Sequence, residues 1–153
     1  MARVLDVMRI RLARAEDLDA AVKLLAAQFG DHEIALDASE LVEGVRGLIF
    51  DPGRGAVLVA GDPDPLGVAV LAYTWTLEHG GLVAWLDELF VVREHRGRGT
   101  GRSLLRRAVE VARESGCRAV ELEVDREHVR AERLYQREGF VLLPRRRWAK
   151  RLT

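Results

Sequence analysis

Two adjacent acidic residues and a glycine-rich turn are the part of this chain whose spacing most directly indicates chemistry. Asp87 and Glu88 lie within an apolar stretch, and a turn with glycine at positions 97, 99 and 101 follows it. Glycines let main-chain N–H groups converge without side chains in the way. A helix that begins at such a turn adds unpaired donors and a partial positive charge. The stretch therefore predicts an anion site that can cradle phosphate groups.

The motif around this turn selects one phosphate-binding design out of three. Positive charge is supplied by Arg96, Arg98 and Arg102. A P-loop requires a lysine directly after its last glycine, and no lysine follows a glycine here. A dinucleotide fingerprint requires a third glycine where this chain has Arg102 or Leu104. The third design, R/Q-x-x-G-x-G/A, fits in full as Arg96-x-x-Gly99-x-Gly101.

A second marker lies downstream and reads Ala131-x-x-Leu134-Tyr135-x-x-x-Gly139-Phe140. With both markers in this order, the chain resembles the GCN5-related N-acetyltransferase (GNAT) superfamily over residues 9–152. In that family the pyrophosphate of acetyl-CoA sits on the first turn, and a helix with an LYxxxGF ending carries the second marker. The resemblance implies an N-acetyltransferase that uses acetyl-CoA as its co-substrate.

Hydrophobic spacing and turn residues predict the elements that position these motifs. Strands are predicted at residues 8–13, 56–60, 67–76, 82–92, 119–124, 140–143 and 147–152. Helices are predicted at 16–29, 38–50, 100–115 and 129–137, with Gly30 and a left-handed Gly116 as helix ends. The result is a mixed α/β (α+β) chain. The resemblance implies the GNAT fold, a central, mostly antiparallel six- to seven-stranded sheet flanked by about four helices, as a single domain over residues 1–153.

The resemblance also implies which side chains act. Direct acetyl transfer requires an unprotonated amine, although a free alkylamine has a pKa of about 10.4. It further requires a donor for the developing oxyanion and a proton for the departing thiolate. Tyr135 is expected to be the general acid for the thiolate. Glu88 or Asp87 is expected to draw the proton from the amine, directly or through water. Strand geometry sends these two carboxylates to opposite faces unless a bulge intervenes.

The acetyl-CoA contacts expected from the resemblance are mainly main-chain ones. A bulge is expected to splay the strand, so that the pantetheine arm pairs with its open edge and an N–H near Leu89 or Phe90 binds the oxyanion. The family often has Asn where this chain has His128, which leaves three roles open: a substitute anchor, an additional base, or the start of a helix. The expected cofactor-binding residues are Leu89, Phe90, Val91, Arg96, Gly97, Arg98, Gly99, Thr100, Gly101, Arg102 and His128.

Composition restricts the classes of protein to which this chain can belong. The single Cys117 excludes an internal disulfide framework and a multi-cysteine metal site, and no metal is expected. No apolar run reaches the roughly 20 residues of a membrane span, and no secretory signal is visible, so a cytoplasmic protein without membrane contact is expected. The sequence pI near 6.9 lacks the positive excess of nucleic-acid-binding domains. Nucleic acid is therefore not an expected partner, although residues 88–153 are rich in arginine.

The acceptor is expected to be a primary amine of a small cationic molecule. Residues 1–87 carry 7 basic and 14 acidic side chains. The acidic residues in and between the two early helices are Asp31, Glu33, Asp37, Glu40 and Glu43. An acidic, solvated surface has the same pattern. Two alternatives stay open: a protein N-terminus or lysine as the acceptor, and a non-catalytic acyl-CoA-binding module. Relatives in the family are often dimers, which makes a homodimer a further expectation.

Overall fold

Five strands form one sheet in the computed structural model, which describes residues 8–31 and 36–153 and, of Asp31, the backbone alone. The strands follow each other across the sheet in chain order. All neighbouring pairs are antiparallel except the last, which is parallel. The sheet consists of β1 (Ile10–Leu12), β2 (Gly55–Ala60), β3 (Gly67–Thr76), β4 (Gly81–Val91) and β5 (Val120–Leu122).

Four helices accompany the strands, as the sequence predicts. They are α1 (Leu18–Asp31), α2 (Ala38–Phe50), α3 (Thr100–Glu114) and α4 (Val129–Arg137). The chain divides into two compact units, of which the first ends at Glu123 and the second, residues 124–153, contains α4. Gly116 has the left-handed conformation predicted for it, with φ of 87°. Gly30 does not end α1, because the helix continues to Asp31.

The sheet of the first unit has a core on each face. On one face α1 and α2 cover Val57, Val68, Val70 and Phe90. On the other face α3 packs against β2, β3 and β4. Helical spacing predicts an inward stripe on α3, and every predicted position except Val109 is buried. The predicted inward positions are Leu104, Leu105, Ala108, Val109, Val111 and Ala112. Each buried Leu or Val contributes about 1.5–3 kcal/mol by leaving water.

A buried ion pair fixes the start of α1. A turn of 3-10 helix, Ala15–Asp17, precedes the helix, and Asp17 is only 4% exposed. The Arg11 guanidinium donates to Asp17 Oδ2 at 2.6 Å, and the Arg14 main-chain N–H donates to the same oxygen at 2.7 Å. These donors hold the pKa of Asp17 below its usual value. The pair joins β1 to the entry of α1 and so helps to orient that helix.

The two strands predicted at 140–143 and 147–152 are not formed, so the described sheet has five strands instead of six or seven. The apolar side chains of this segment, which include Val141, Leu142, Trp148 and Leu152, are 81–87% exposed. A strand is stable when a neighbour supplies ladder hydrogen bonds and its side chains pack against a face. Pro144 and the Arg145–Arg147 run interrupt the apolar pattern that would provide this packing.

Across residues 8–31 and 36–153, no helix combines the length and the apolar character that crossing a membrane requires.

Candidate active site

An extra residue interrupts β4 at the acidic pair. Val70 of β3 lies opposite Glu88, whereas the next residue, Leu71, lies opposite Leu86. Asp87 therefore has no opposite residue and forms a β-bulge. From strand geometry, Asp87 and Glu88 were expected on opposite faces unless a bulge intervened. That bulge is present. It gives Glu88 the same face as Val70, which is the face covered by α1 and α2.

The bulge also exchanges the sides to which the main-chain groups of β4 point. Before it, the Ala84 N–H donates to the Ala119 carbonyl, on the β5 side. After it, the Val92 N–H donates to the Leu66 carbonyl, on the β3 side. N–H groups alternate sides along a strand, so two even-numbered residues of an unbroken strand would point the same way. One inserted residue accounts for the reversal.

Past the bulge, no strand among the described residues pairs with the outer edge of β4. Pairing with β5 ends where Leu86 meets Leu122. Since the N–H of Val92 points to β3, alternation places the main-chain groups of Leu89 and Val91 on the outer edge. The Val91 carbonyl on this edge accepts a hydrogen bond from Arg96 Nε at 2.8 Å. An extended ligand can add to such an edge as a further strand would.

Glu88 is half-buried at this bulge and has an altered acidity. Gln28 of α1 donates from Nε2 to Glu88 Oε2 at 2.5 Å. Burial is the largest influence on the carboxyl and the negative charge of Asp87 the second, and together they raise the pKa of Glu88 to about 7. The hydrogen bond from Gln28 acts in the opposite direction. Glu88 is therefore available both as a carboxylate and as a carboxylic acid near neutral pH.

The two acidic neighbours have different surroundings. Asp87 is exposed, whereas Glu88 faces the helix-covered side of the sheet. The charge of Asp87 acts on Glu88 through space, so the pair is coupled even though only one member is sheltered from water. Of the two residues named as candidate bases, Glu88 has the environment that proton transfer from an amine calls for.

Gln28 is a site residue that the sequence analysis did not identify. It is 60 residues away from Glu88 in the chain. The sequence feature that could have identified Gln28 is its position on an apolar helix stripe. Ala21, Leu24 and Leu25 precede it at helical spacing and are all buried. A polar side chain at such a position needs a partner, and the partner here is a carboxylate.

The glycine turn leads into the N-terminus of α3. Gly97 and Gly99 have φ of 76° and 83°, and Gly99 is the N-cap of the helix. A Cβ added at Gly99 would meet nothing within 4 Å, so its backbone conformation, and not space, favours glycine there. Glycine offers no side-chain acceptor, and the first turn of α3 contains no acidic residue. The N–H groups of that turn are thus left for an external anion.

Arg96 ties this turn to β4. Besides its bond to the Val91 carbonyl, its guanidinium lies 5.3 Å from the centroid of the Phe90 ring, within cation–π range. Arg98 and Arg102 are exposed. The first arginine of the motif thus has a structural function, and the other two are placed to add charge at the surface.

The second marker forms the end of α4 in the second unit. The Phe140 N–H donates to the Tyr135 carbonyl, and the Gly139 N–H donates to the Gln136 carbonyl. With Gly139 at φ of 91°, these two bonds define a Schellman motif. Tyr135 and Phe140 make its hydrophobic contact, with ring centroids 5.7 Å apart. His128 is the N-cap of α4, where its side chain makes no capping bond.

Two of the acidic residues named for the cationic acceptor, Asp37 and Glu43, have local functions at α2. Asp37 is the N-cap of α2 and accepts from the N–H groups of Ser39 and Glu40 at 2.7 and 3.4 Å. Glu43 pairs with Arg46 on the surface of the same helix. Glu33 and the side chain of Asp31 lie outside the described residues. The described acids therefore add little to the expectation of a cationic acceptor.

A second group of polar side chains lies at the turn between β3 and β4. His79 Nε2 and Glu121 Oε1 of β5 are 2.8 Å apart. Together with Glu78 they offer three ligand atoms within 4.8 Å of one another, a grouping that could hold a metal ion. Local spacing in the sequence does not indicate this partner for His79, because Glu121 is 42 residues away along the chain. The Arg118 guanidinium, which donates to the His79 carbonyl, adds positive charge next to these groups.

Comparison with known proteins identifies the family. The model of the acetyltransferase (GNAT) family matches residues 18–140. An aminoalkylphosphonate N-acetyltransferase of Salmonella typhimurium is 28% identical over 90% of this chain and 87% of its own. An uncharacterized N-acetyltransferase of Archaeoglobus fulgidus is 30% identical over 84% and 89%. The aminoglycoside N-acetyltransferase AAC(6')-Iy in complex with CoA superposes with a TM-score of 0.80 at 18% identity, over 94% of each chain.

The chain belongs to the GNAT acetyltransferase family, and it is an N-acetyltransferase. The mixed α/β fold class expected from the sequence is confirmed by the superposition on the solved structure of a possible acetyltransferase from Clostridium difficile 630, with a TM-score of 0.83 at 20% identity over 97% of this chain and 99% of that one. The family match includes both the glycine turn and the LYxxxGF marker, on which the resemblance was based.

Proposed function

We propose that this enzyme transfers the acetyl group of acetyl-CoA to the primary amine of a small cationic molecule, with Glu88 as the general base. The observation that carries the proposal is the Glu88 carboxyl at the β4 bulge, half-buried, coupled to Asp87 and bonded to Gln28. A surface glutamate would remain ionised at neutral pH and accept a proton poorly, whereas this one is close to half-protonated.

The raised pKa of Glu88 makes it easier for this carboxylate to take a proton from the acceptor. An alkylammonium group has a pKa of about 10.4. Transfer of its proton to a glutamate at the usual 4.5 would be uphill by about six pK units, and transfer to one at about 7 by about half of that. The negative charges of Glu88 and Asp87 also attract an ammonium group, which supports a cationic acceptor.

The features of the first unit fit acetyl-CoA. The uncapped N-terminus of α3, with the main chain of Gly97, Gly99, Thr100 and Gly101, would hold the pyrophosphate. The outer edge at Leu89 to Val91 would pair with the pantetheine arm, and an edge N–H near Leu89 would bind the oxyanion. When bound, acetyl-CoA supplies an activated thioester. Arg98 and Arg102 would add charge near the phosphates.

The proposed reaction conserves atoms and protons. The amine nitrogen forms a bond to the acetyl carbonyl carbon, and the bond between that carbon and sulfur breaks. Glu88 accepts one proton from the amine. Tyr135 donates its phenolic proton to the departing thiolate, and its phenolate takes up, directly or through water, the second proton that the nitrogen loses on becoming an amide. Glu88 then releases its proton to solvent. His128, at the N-cap of the same helix, would anchor the arm of the co-substrate.

A thiol-release assay with acetyl-CoA over a panel of acceptors tests this function. The panel contains spermine, aminomethylphosphonate, an aminoglycoside and two peptides. One peptide has a free N-terminus, and the other has an acetylated N-terminus and a free lysine side chain. We expect the highest kcat/KM with one of the small polyamines or aminoglycosides. Turnover of the peptides alone would make the acceptor a protein. Binding of acetyl-CoA with no turnover on any amine would make the chain a non-catalytic acyl-CoA-binding module.

Two variants test the assigned roles. Glu88→Gln is expected to lower kcat/KM by about 100-fold or more, because the base is lost. Its melting temperature at pH 8 should equal or exceed that of the wild type, since a buried charge is removed. The exposed neighbour supplies the control, and Asp87→Asn should lose far less activity. Tyr135→Phe keeps the ring contact with Phe140 and should lower kcat. Unchanged kcat in Glu88→Gln would refute the role of the base.

A further inference from the structure

The partner of Glu88 on α1 is only half satisfied. Gln28 uses its amide N–H on the carboxylate, while its amide oxygen Oε1 is buried without a hydrogen-bond partner among residues 8–31 and 36–153. Its neighbours on the inward stripe of α1 are the apolar residues Ala21, Leu24 and Leu25. A polar side chain has therefore been placed in an apolar row, with one end bonded to an acid and the other end left unbonded.

Packing alone does not explain a glutamine at this position. A buried amide oxygen without a partner destabilises the folded state, and nearly all buried polar groups in proteins are paired. Methionine would fill a similar volume on the same stripe without that loss. Positions at which a local rule is broken without a structural gain are expected at functional sites. The function of Gln28 is therefore to be sought in the group that it contacts.

We propose that Gln28 is a positioning residue for the general base, which orients the Glu88 carboxylate and keeps it able to exchange a proton near neutral pH. The inference deepens the proposed function and rests on it, because it concerns the same site. The amide is suited to this task, since it can donate to the ionised carboxylate through Nε2. Once Glu88 has accepted a proton, its O–H can donate to Oε1 after rotation of the amide group.

The groups that face Glu88 differ in their effect on its charge. Asp87, on the same strand, is negative and favours the protonated form, as burial does. Val70 lies opposite on β3 and is apolar. Gln28, from α1, is neutral and favours the ionised form. Gln28 thus opposes the effects of burial and of the Asp87 charge. Its removal should therefore leave Glu88 more often protonated at neutral pH.

The variant Gln28→Met tests the inference, with the most active amine of the acceptor panel as the probe. We expect the acid limb of the kcat/KM profile to move to higher pH by roughly one unit, the effect of one hydrogen bond to a charged group. At pH 6.5 this lowers kcat/KM by about tenfold, and at pH 9 most of the activity returns. The KM for acetyl-CoA and the melting temperature at pH 6 should not worsen.

The control is Gln136→Met, the same substitution at an exposed position, which should leave the pH profile unchanged. A carbon-13 NMR titration of the glutamate carboxyls, without any substrate, follows Glu88 directly. An upward shift of its titration in Gln28→Met supports the inference. An unmoved titration and acid limb, with a lower melting temperature, would overturn it and leave Gln28 a structural residue. If the wild type acetylates no amine, the proposed function fails, whereas the NMR titration still decides the role of Gln28.

Discussion

The N-termini of α2 and α3 are built in opposite ways. Helix α2 is capped by the side chain of Asp37, which accepts from two main-chain N–H groups of the first turn, and Glu40 lies in that turn. Helix α3 begins at Gly99, which has no side chain to offer, and its first turn contains no acidic residue. Arg98 precedes that turn and Arg102 lies within it.

The difference separates a helix end that serves the fold from one that is available to a ligand. Both helices have the same unpaired donors and the same partial positive charge at the start. In α2 the chain neutralises them with its own carboxylates. In α3 the chain leaves them for an external anion and keeps the local charge positive, which is the arrangement that a pyrophosphate requires.

Giving α3 an acidic N-cap like that of α2 should have the largest effect on CoA binding. Gly99→Asp places a capping carboxylate where the pyrophosphate would bind. We expect the affinity for CoA, measured by titration calorimetry, to fall by about 100-fold through competition for the N–H groups and charge repulsion. Gly99→Asn is the matched control, since asparagine tolerates a left-handed backbone and carries no charge. It should retain clearly more affinity than the aspartate variant. Equal affinities would contradict an anion site at this turn.

A single surface arginine should have an intermediate effect. Arg98→Ala is expected to weaken CoA binding by about threefold at low salt, and the difference should shrink as salt is added, because exposed charges are screened. Arg46→Ala removes an arginine from α2, where it pairs with Glu43. That control should leave CoA affinity unchanged at every salt concentration. A loss of equal size in both variants would show that general charge, and not the α3 turn, controls binding.

The α2 cap should affect stability and leave binding untouched. Asp37→Ala is expected to lower the melting temperature by about 3 °C at pH 7 without changing CoA affinity. The hydrogen bonds to Ser39 and Glu40 hold the pKa of Asp37 below its usual 3.8. The difference in melting temperature between the wild type and the variant should therefore be complete above about pH 5. It should disappear as the pH falls through that lowered pKa. A pH-independent difference in melting temperature would argue against the capping role.

The sequence was sufficient for features that depend on local spacing. The glycine turn, the inward stripe of α3 and the left-handed Gly116 follow from residues a few positions apart, and all three are present. The proximity of Glu88 to Gln28 and of His79 to Glu121 could not be predicted. Those residues are 60 and 42 positions apart and meet only through the packing of α1 on the sheet and the pairing of β4 with β5.

The two C-terminal strand predictions are wrong for a physical reason. The apolar residues of 140–143 and 147–152 indicate strands by composition, but composition does not specify a pairing partner, and most of these side chains are exposed. The bulge at Asp87 was a conditional expectation for the corresponding reason. An extra residue on one strand can be recognised only against the register of its neighbour, which a single sequence does not contain.

The bulge makes the length of β4 matter more than the identity of its unpaired residue. Deleting Asp87 would leave Leu86 opposite Leu71 and Glu88 opposite Val70, so every later side chain would keep its face. The deletion would instead remove the local bend and the added twist that a bulged strand has. We therefore expect position 87 to accept many amino acids, whereas deletion of the residue lowers turnover by straightening the edge at which the co-substrate would pair, in a protein that still folds around its other strands.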